Sequence, residues 1–242
     1  MREMDGFGME MRIVDRWAMG AKTETMSKKG FTLIELLVAM AISAVVMTAV
    51  YAAYQSQQKS YAVQEEVADM QQRLRAAMFY MSSQIREAGC NPTQTDVNRP
   101  GIVTAGVDEI NFTADITGGG NGNADGDTSD SYENVTYSLY TSDGIQKLGV
   151  KSTASATNQP VIENVDALNF VYLDANGIVT TALPNIRSVE VAIVVRASRE
   201  DRNYTNSDEY RNQQGDVILG AQGDHFRRRI LNMRIACRNL GL

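Results

Sequence analysis

Apolar residues run almost unbroken from residue 31 to residue 54, FTLIELLVAMAISAVVMTAVYAAY, and then thin into a spaced pattern. The run holds a single charge, Glu35. Coiled as a helix it would be about 36 Å long, against about 30 Å for a bilayer core, so it can cross a membrane. Beyond Tyr54 the apolar positions are Val63, Val67, Met70, Leu74, Ala77, Met81, Ile85 and Ala88, with Gln, Glu, Arg and Lys between them. Steps of three and four place these residues on one helical face. Neither Pro nor Gly occurs between residues 31 and 88, and Gly89 with Pro92 supplies a stop. The pattern predicts one helix of about 58 residues, apolar all round in its first half and amphipathic in its second, where it covers a sheet. A dimeric coiled coil is the rival reading of the second half, weakened by a short repeat and irregular flanking charges.

After Pro92 the period changes. Strands are predicted at residues 109–113, 135–140, 145–150, 167–173, 178–181, 186–197 and 226–238, with hairpin or turn signals at Asp143-Gly144 and Asp174-Ala175-Asn176-Gly177. Residues 199–223 are polar and read as an exposed loop. One long helix followed by strands predicts an α+β fold with an antiparallel sheet. The expected domains are residues 1–30 as a leader, 31–54 as the membrane half of the helix, 55–88 as its amphipathic half and 89–242 as a β-rich globular domain.

Charge narrows the function. The 242 residues carry 23 basic and 29 acidic side chains, a net charge of −6. A nucleic-acid partner would call for a basic excess, so none is expected. Arg227, Arg228 and Arg229 read as a solvated strand edge, and the many Asp and Glu side chains as solvated loop residues. The lone His225 has no second histidine or cysteine pair to form a transition-metal site. No nucleophile motif, phosphate loop or carboxylate pair suggests an enzyme.

Glu35 is the anomaly. A carboxylate in the hydrocarbon region costs several kcal/mol unless it finds a partner. No Lys or Arg follows it within two helical turns. Cleavage between Gly30 and Phe31 would create an α-amino group four residues upstream, and the same amine on a neighbouring copy could serve. The alternative is a carboxylate tolerated at the membrane interface. Lys28 and Lys29 precede the run, so the positive-inside rule keeps the N-terminus cytoplasmic and sends the residues after Tyr54 outside.

Lys28-Lys29-Gly30-Phe31-Thr32-Leu33-Ile34-Glu35 resembles the prepilin signal of type IV pilins and type II secretion pseudopilins. The resemblance implies cleavage after Gly30 by a prepilin peptidase and N-methylation of Phe31. It also implies pairing of Glu35 with the N-terminal amine of an adjacent subunit. The long two-part helix matches pilins too, although major pilins commonly carry a proline in the membrane half and this chain has none, which points to a minor subunit. Weaker similarity to minor pilins of the PilW group and to J-type pseudopilins is carried by Ile85-Arg86-Glu87-Ala88-Gly89, Val165-Asp166-Ala167-Leu168-Asn169-Phe170, Ile186-Arg187-Ser188-Val189-Glu190-Val191 and Arg238-Asn239-Leu240. A 30-residue leader is long for this family, whereas Met26 to Gly30 would make an ordinary one, so residues 1–25 are expected to be a gene-start error.

The expected function is therefore that of a minor type IV pilin in a bacterial envelope filament. Its partners would be other pilins, the prepilin peptidase and the inner membrane before assembly, with a pilus, cell-surface or periplasmic location afterwards. The alternatives are a minor type II secretion pseudopilin and a membrane-anchored calcium-binding adhesion protein. Two further features are left. Cys90 at the helix end and Cys237 in the last strand are candidates for a disulfide in an oxidising periplasm, where Leu231, Met233, Ile235 and Cys237 would share the inward face; two buried thiols are the alternative. In GGGNGNADGDTSDSYE, residues 118–133, Asn121, Asn123, Asp125 and Asp127 alternate around Gly126 as in a calcium loop, with Tyr132 where a bidentate Glu is usual and Glu133 one residue late. Some pseudopilins bind calcium, so calcium is the only cofactor considered, against a plain solvated turn.

Overall fold

The computed structural model describes residues 30–94, 100–118 and 122–241. Leader residues 1–29, with the start at Met26, and Asn121 lie outside the described residues. The fold is α+β. Helix α1 spans Leu33–Glu87, followed by β1 (Ile102–Ala105), β2 (Glu109–Thr113), β3 (Asn134–Ser142), β4 (Ile145–Ser152), β5 (Ser155–Glu163) and β6 (Val165–Leu173). A single 3-10 turn at Leu183–Asn185 leads to β7 (Ser188–Glu200), β8 (Tyr210–Arg211), β9 (Val217–Leu219) and β10 (Phe226–Ala236). The chain divides into two compact units, with Tyr54 ending the first and Gln55 opening the second.

In the first unit the helical residues are apolar and none is buried by protein, so the segment is long and apolar enough to cross a membrane. In the second unit α1 buries Met70, Leu74, Ala77, Met78, Met81, Ser82 and Ile85. The spaced face therefore meets the core from Met70 onward, while Val67 packs at its margin. Gly89 ends the helix in a left-handed conformation, φ +80°, and a side chain there would meet Leu240, whose Cδ2 lies 2.6 Å from the Cβ position. Asn239 Nδ2 donates to the last helical carbonyls, those of Arg86 and Glu87, each at 3.4 Å.

Among the described residues there are three sheets instead of one, all antiparallel: β1-β2-β3-β4-β5, β10-β7-β6 and the pair β8-β9. Alternation divides β7 between two cores. Val189, Val191, Ile193 and Val195 join α1 in the main core, with Ile110, Phe112, Tyr137 and Leu148 from the larger sheet. Val194 faces a smaller core with Ala167 and Tyr210. The polar stretch 199–223 is thus not merely an exposed loop, because it forms β8 and β9 and buries Asn206, Tyr210 and Asn212. Residues 178–181 form no strand, only an isolated bridge between Leu173 and Val179. As the β10 pattern predicts, Ile235 and Cys237 are buried in the main core, with Leu231 and Met233 packed against it.

Candidate functional site

The helix start is built by four residues. Phe31 is 90% exposed and precedes the helix. Thr32 caps it: the backbone N–H of Glu35 donates to Thr32 Oγ1 at 3.2 Å. In return Glu35 Oε2 accepts from the Thr32 backbone N–H at 2.8 Å and from its hydroxyl at 2.9 Å. This is a reciprocal capping box, which satisfies helix donors that otherwise have no partner. The Thr32-x-x-Glu35 spacing is visible in the sequence, where Glu35 reads as a charge in search of a partner and not as a helix cap. Among the described residues, nothing donates to its other oxygen, Oε1. The N-terminus of α1 also carries the positive end of the helix dipole, which favours a carboxylate there. The arrangement can hold an acid at an exposed helix start with one oxygen free to accept.

The acidic loop is assembled differently. Asp125, Asp127 and Asp130 offer carboxylate oxygens within 4.8 Å of one another. Of the sequence-predicted ligands, Asp125 and Asp127 are in this group, and Asn123 is exposed. Asp130 was missed because it falls outside the alternating spacing, and folding brings it in. Two buried acids below the group hold the loop. Glu133 is fully buried; its Oε1 accepts from the N–H groups of Ile116 and Thr117, each at 2.8 Å, and its Oε2 from that of Asp130 at 3.1 Å. Asp115, 1% exposed, accepts from the N–H groups of Asp125 and Gly126 and from the Thr93 hydroxyl. These two depart from the expectation that the acids are solvated: backbone donors replace water around each charge. Gly118, φ +100°, must lack a side chain because one would run into the Asp130 carboxylate. Loss of solvent and the neighbouring Asp125, Asp127, Glu133 and Asp115 raise the Asp130 carboxyl above its ordinary range, whereas hydrogen bonds from Ser129 lower that of Asp127. Three convergent carboxylates form a hard-oxygen donor set, suited in chemistry to a divalent ion such as calcium.

Cys90 and Cys237 both carry free thiols in this structure. Burial pushes the Cys237 thiol up to about 12, and burial with Asp115 and Glu87 raises that of Cys90, so neither is readily the thiolate that exchange requires. Their flanking segments nevertheless meet where Leu240 closes over Gly89.

The three consecutive arginines are not one solvated edge. Arg228 is 4% exposed and holds Asp166 and Asp224, each at 2.6 Å. Arg227 forks onto Asp201 Oδ2, with Nε at 2.9 Å and Nη2 at 2.7 Å, and lies over the Tyr204 ring. Only Arg229 is exposed. His225 Nδ1 lies 2.6 Å from the Tyr204 carbonyl oxygen.

Comparison with known families gives two matches. The model described as "Prokaryotic N-terminal methylation motif" matches residues 25–51, and "Type IV Pilus-assembly protein W" matches residues 127–239. The protein is type IV pilin-like, with a PilW-family domain. It is a minor-pilin-like structural and assembly subunit, and this family is structural rather than catalytic. Among solved structures, a type IV-like pilin from Thermus thermophilus matches with 11% identity and a TM-score of 0.46, over 71% of this pilin-like chain and 98% of that one. A search of curated proteins found no match.

Proposed function

We propose that this chain is a minor pilin processed after Gly30 by a prepilin peptidase, N-methylated at Phe31, and drawn into a filament through Glu35. The observation that carries the reading is the half-used carboxylate: Thr32 occupies Oε2, while Oε1 is open at an exposed helix start. The amine freed at Phe31 of a neighbouring copy supplies the missing donor, and in lipid such a charge pair gains strength from the lack of competing water. Residues 31–54 cross the inner membrane with the N-terminus cytoplasmic. Residues 55–88 act as an amphipathic cover for the sheet, and residues 89–242 form the external domain. Within the membrane, cohesion between pilins comes from helix packing and this polar pairing, since lipid tails are as apolar as the helices.

The acidic loop adds an ion site. Asp125, Asp127 and Asp130 would hold calcium, which offsets their mutual repulsion and pins the loop between β2 and β3. In the oxidising periplasm, Cys90 and Cys237 would close into a disulfide, tying the helix end to the last strand. Reading the ends of the process separates these claims. Mass analysis of the mature N-terminus is expected to begin at methylated Phe31 in cells with the peptidase and to retain Gly30 in cells without it. Glu35→Ala is expected to insert in the membrane yet be depleted from sheared filaments; normal incorporation would refute the pairing. The PilW match favours a pilus subunit over a secretion pseudopilin.

A further inference from the structure

A groove of about 700 Å³ runs along α1 within the second unit, between Ser56, Lys59 and Ser60 on the helix and Asp201, Arg227 and Arg229 from the strand ends. Three cations meet a single carboxylate there, and Arg227 occupies that carboxylate through two of its nitrogens. Lys59 and Arg229 are exposed, and no acid pairs with either among the described residues. Glu66, a nearby acid on the same helix, accepts from the Ser198 hydroxyl and the Arg199 N–H instead. In a chain of net charge −6 this is a local excess of positive charge.

Its position along the helix is informative. Lys59 is the fifth residue of the second unit, about 6 Å along the helix from the first, Gln55. The headgroup layer of a bilayer is about 5–8 Å thick on each side of the hydrocarbon core. Strand β10 enters the groove with Arg227 and Arg229 and runs away from it, since residues 239–240 lie at the far end of the helix beside Gly89. The cations are thus gathered at the end of the domain that follows the apolar run. We propose that this groove takes the phosphate headgroup of an anionic phospholipid from the membrane that α1 crosses. The proposal rests on the membrane-crossing reading above. Arg229 supplies a planar fork suited to phosphate oxygens and Lys59 a point charge. An anionic headgroup attracts such basic residues when they lie within a Debye length of it. Bound headgroups would hold the domain against the bilayer until assembly draws the helix out of the lipid.

The test uses the full chain in nanodiscs, with hydrogen exchange of peptides covering residues 56–71 and 199–229. Discs of phosphatidylcholine alone are compared with discs containing phosphatidylglycerol, and with phosphatidylcholine discs in added inorganic phosphate. Exchange is expected to slow about threefold or more with phosphatidylglycerol, and only there. The double variant Lys59→Gln/Arg229→Gln is expected to lose the effect, while Arg75→Gln, an exposed arginine outside the groove, keeps it. Equal exchange in both lipids overturns the proposal, as does protection by free phosphate or retention of the effect in the double variant. A chain that enters neither disc overturns the membrane-crossing reading instead, which keeps the two failures apart.

Discussion

The two halves of helix α1 share backbone geometry and differ in what surrounds them. Residues 33–54 expose Leu, Ile, Val and Met on every side; Leu36, Val46 and Val50 are each more than half exposed. Residues 55–87 bury a set of side chains from Met70 to Ile85, with Met78, Met81 and Ile85 at 0% exposure, while Tyr61 and Phe79 stay outside. Helix propensity cannot account for this contrast, because both halves are rich in good helix formers. Composition decides it: an all-round apolar helix demands a surrounding medium, whereas a striped one needs only a sheet. The contrast separates helix residues that stabilise the domain from helix residues that do not.

Substitutions should respect that division. The largest effect is expected at Arg228→Leu, which leaves the Asp166 and Asp224 carboxylates without their buried cation and should cost about 3–5 kcal/mol in chemical denaturation. The same pair gives a pH signature. Arg228 lowers the folded-state carboxyl of Asp224 below its ordinary value of 3.8. Its contribution is complete above that value and is lost as pH falls through the depressed one, so acid unfolding of the wild type should steepen below about pH 4 and that component should vanish in Arg228→Leu. Met81→Ala follows, at about 2–5 kcal/mol, while Val46→Ala in the first half should leave domain stability within about 0.5 kcal/mol. Equal losses at Met81 and Val46 would break the comparison.

Thr32→Val removes the capping hydroxyl and should weaken the helix start by about 1 kcal/mol, with Thr32→Ser restoring it; amide exchange at residues 33–36 reads this. The smallest effect is expected at Asp130→Asn. The raised Asp130 carboxyl contributes stability below its ordinary value of 3.8, and that contribution is lost as pH rises through the raised one. At neutral pH without calcium the variant should therefore melt slightly above the wild type, with no difference near pH 3. Added calcium should raise the melting temperature of the wild type alone.

Much of this was legible in the chain. Spacing from Val63 to Ala88 predicted the buried stripe from Met70 to Ile85, and the absence of Gly and Pro predicted an unbroken helix. Residues 109–113 and the Asp143-Gly144 hairpin were read at their observed places. What escaped depends on contacts made only in three dimensions. Strand β5, SATNQPVIE, is polar and carries Pro160, which an edge position tolerates because its outer side needs no donor. Arg228 could not be told from Arg227 and Arg229 without the strand register that faces it toward Asp166. Asp130 joins Asp125 and Asp127 only once Glu133 anchors the loop.

The closure of Leu240 over Gly89 has a consequence for timing. Residues 226–240 are synthesised after every other described element, yet they supply Ile235 and Cys237 to the main core and the Asn239 side chain that covers the spent helix carbonyls. During synthesis the domain therefore has an open flank until this stretch has been made. A partly made chain cannot close the main core early, because the last segment to appear is the one that seals it.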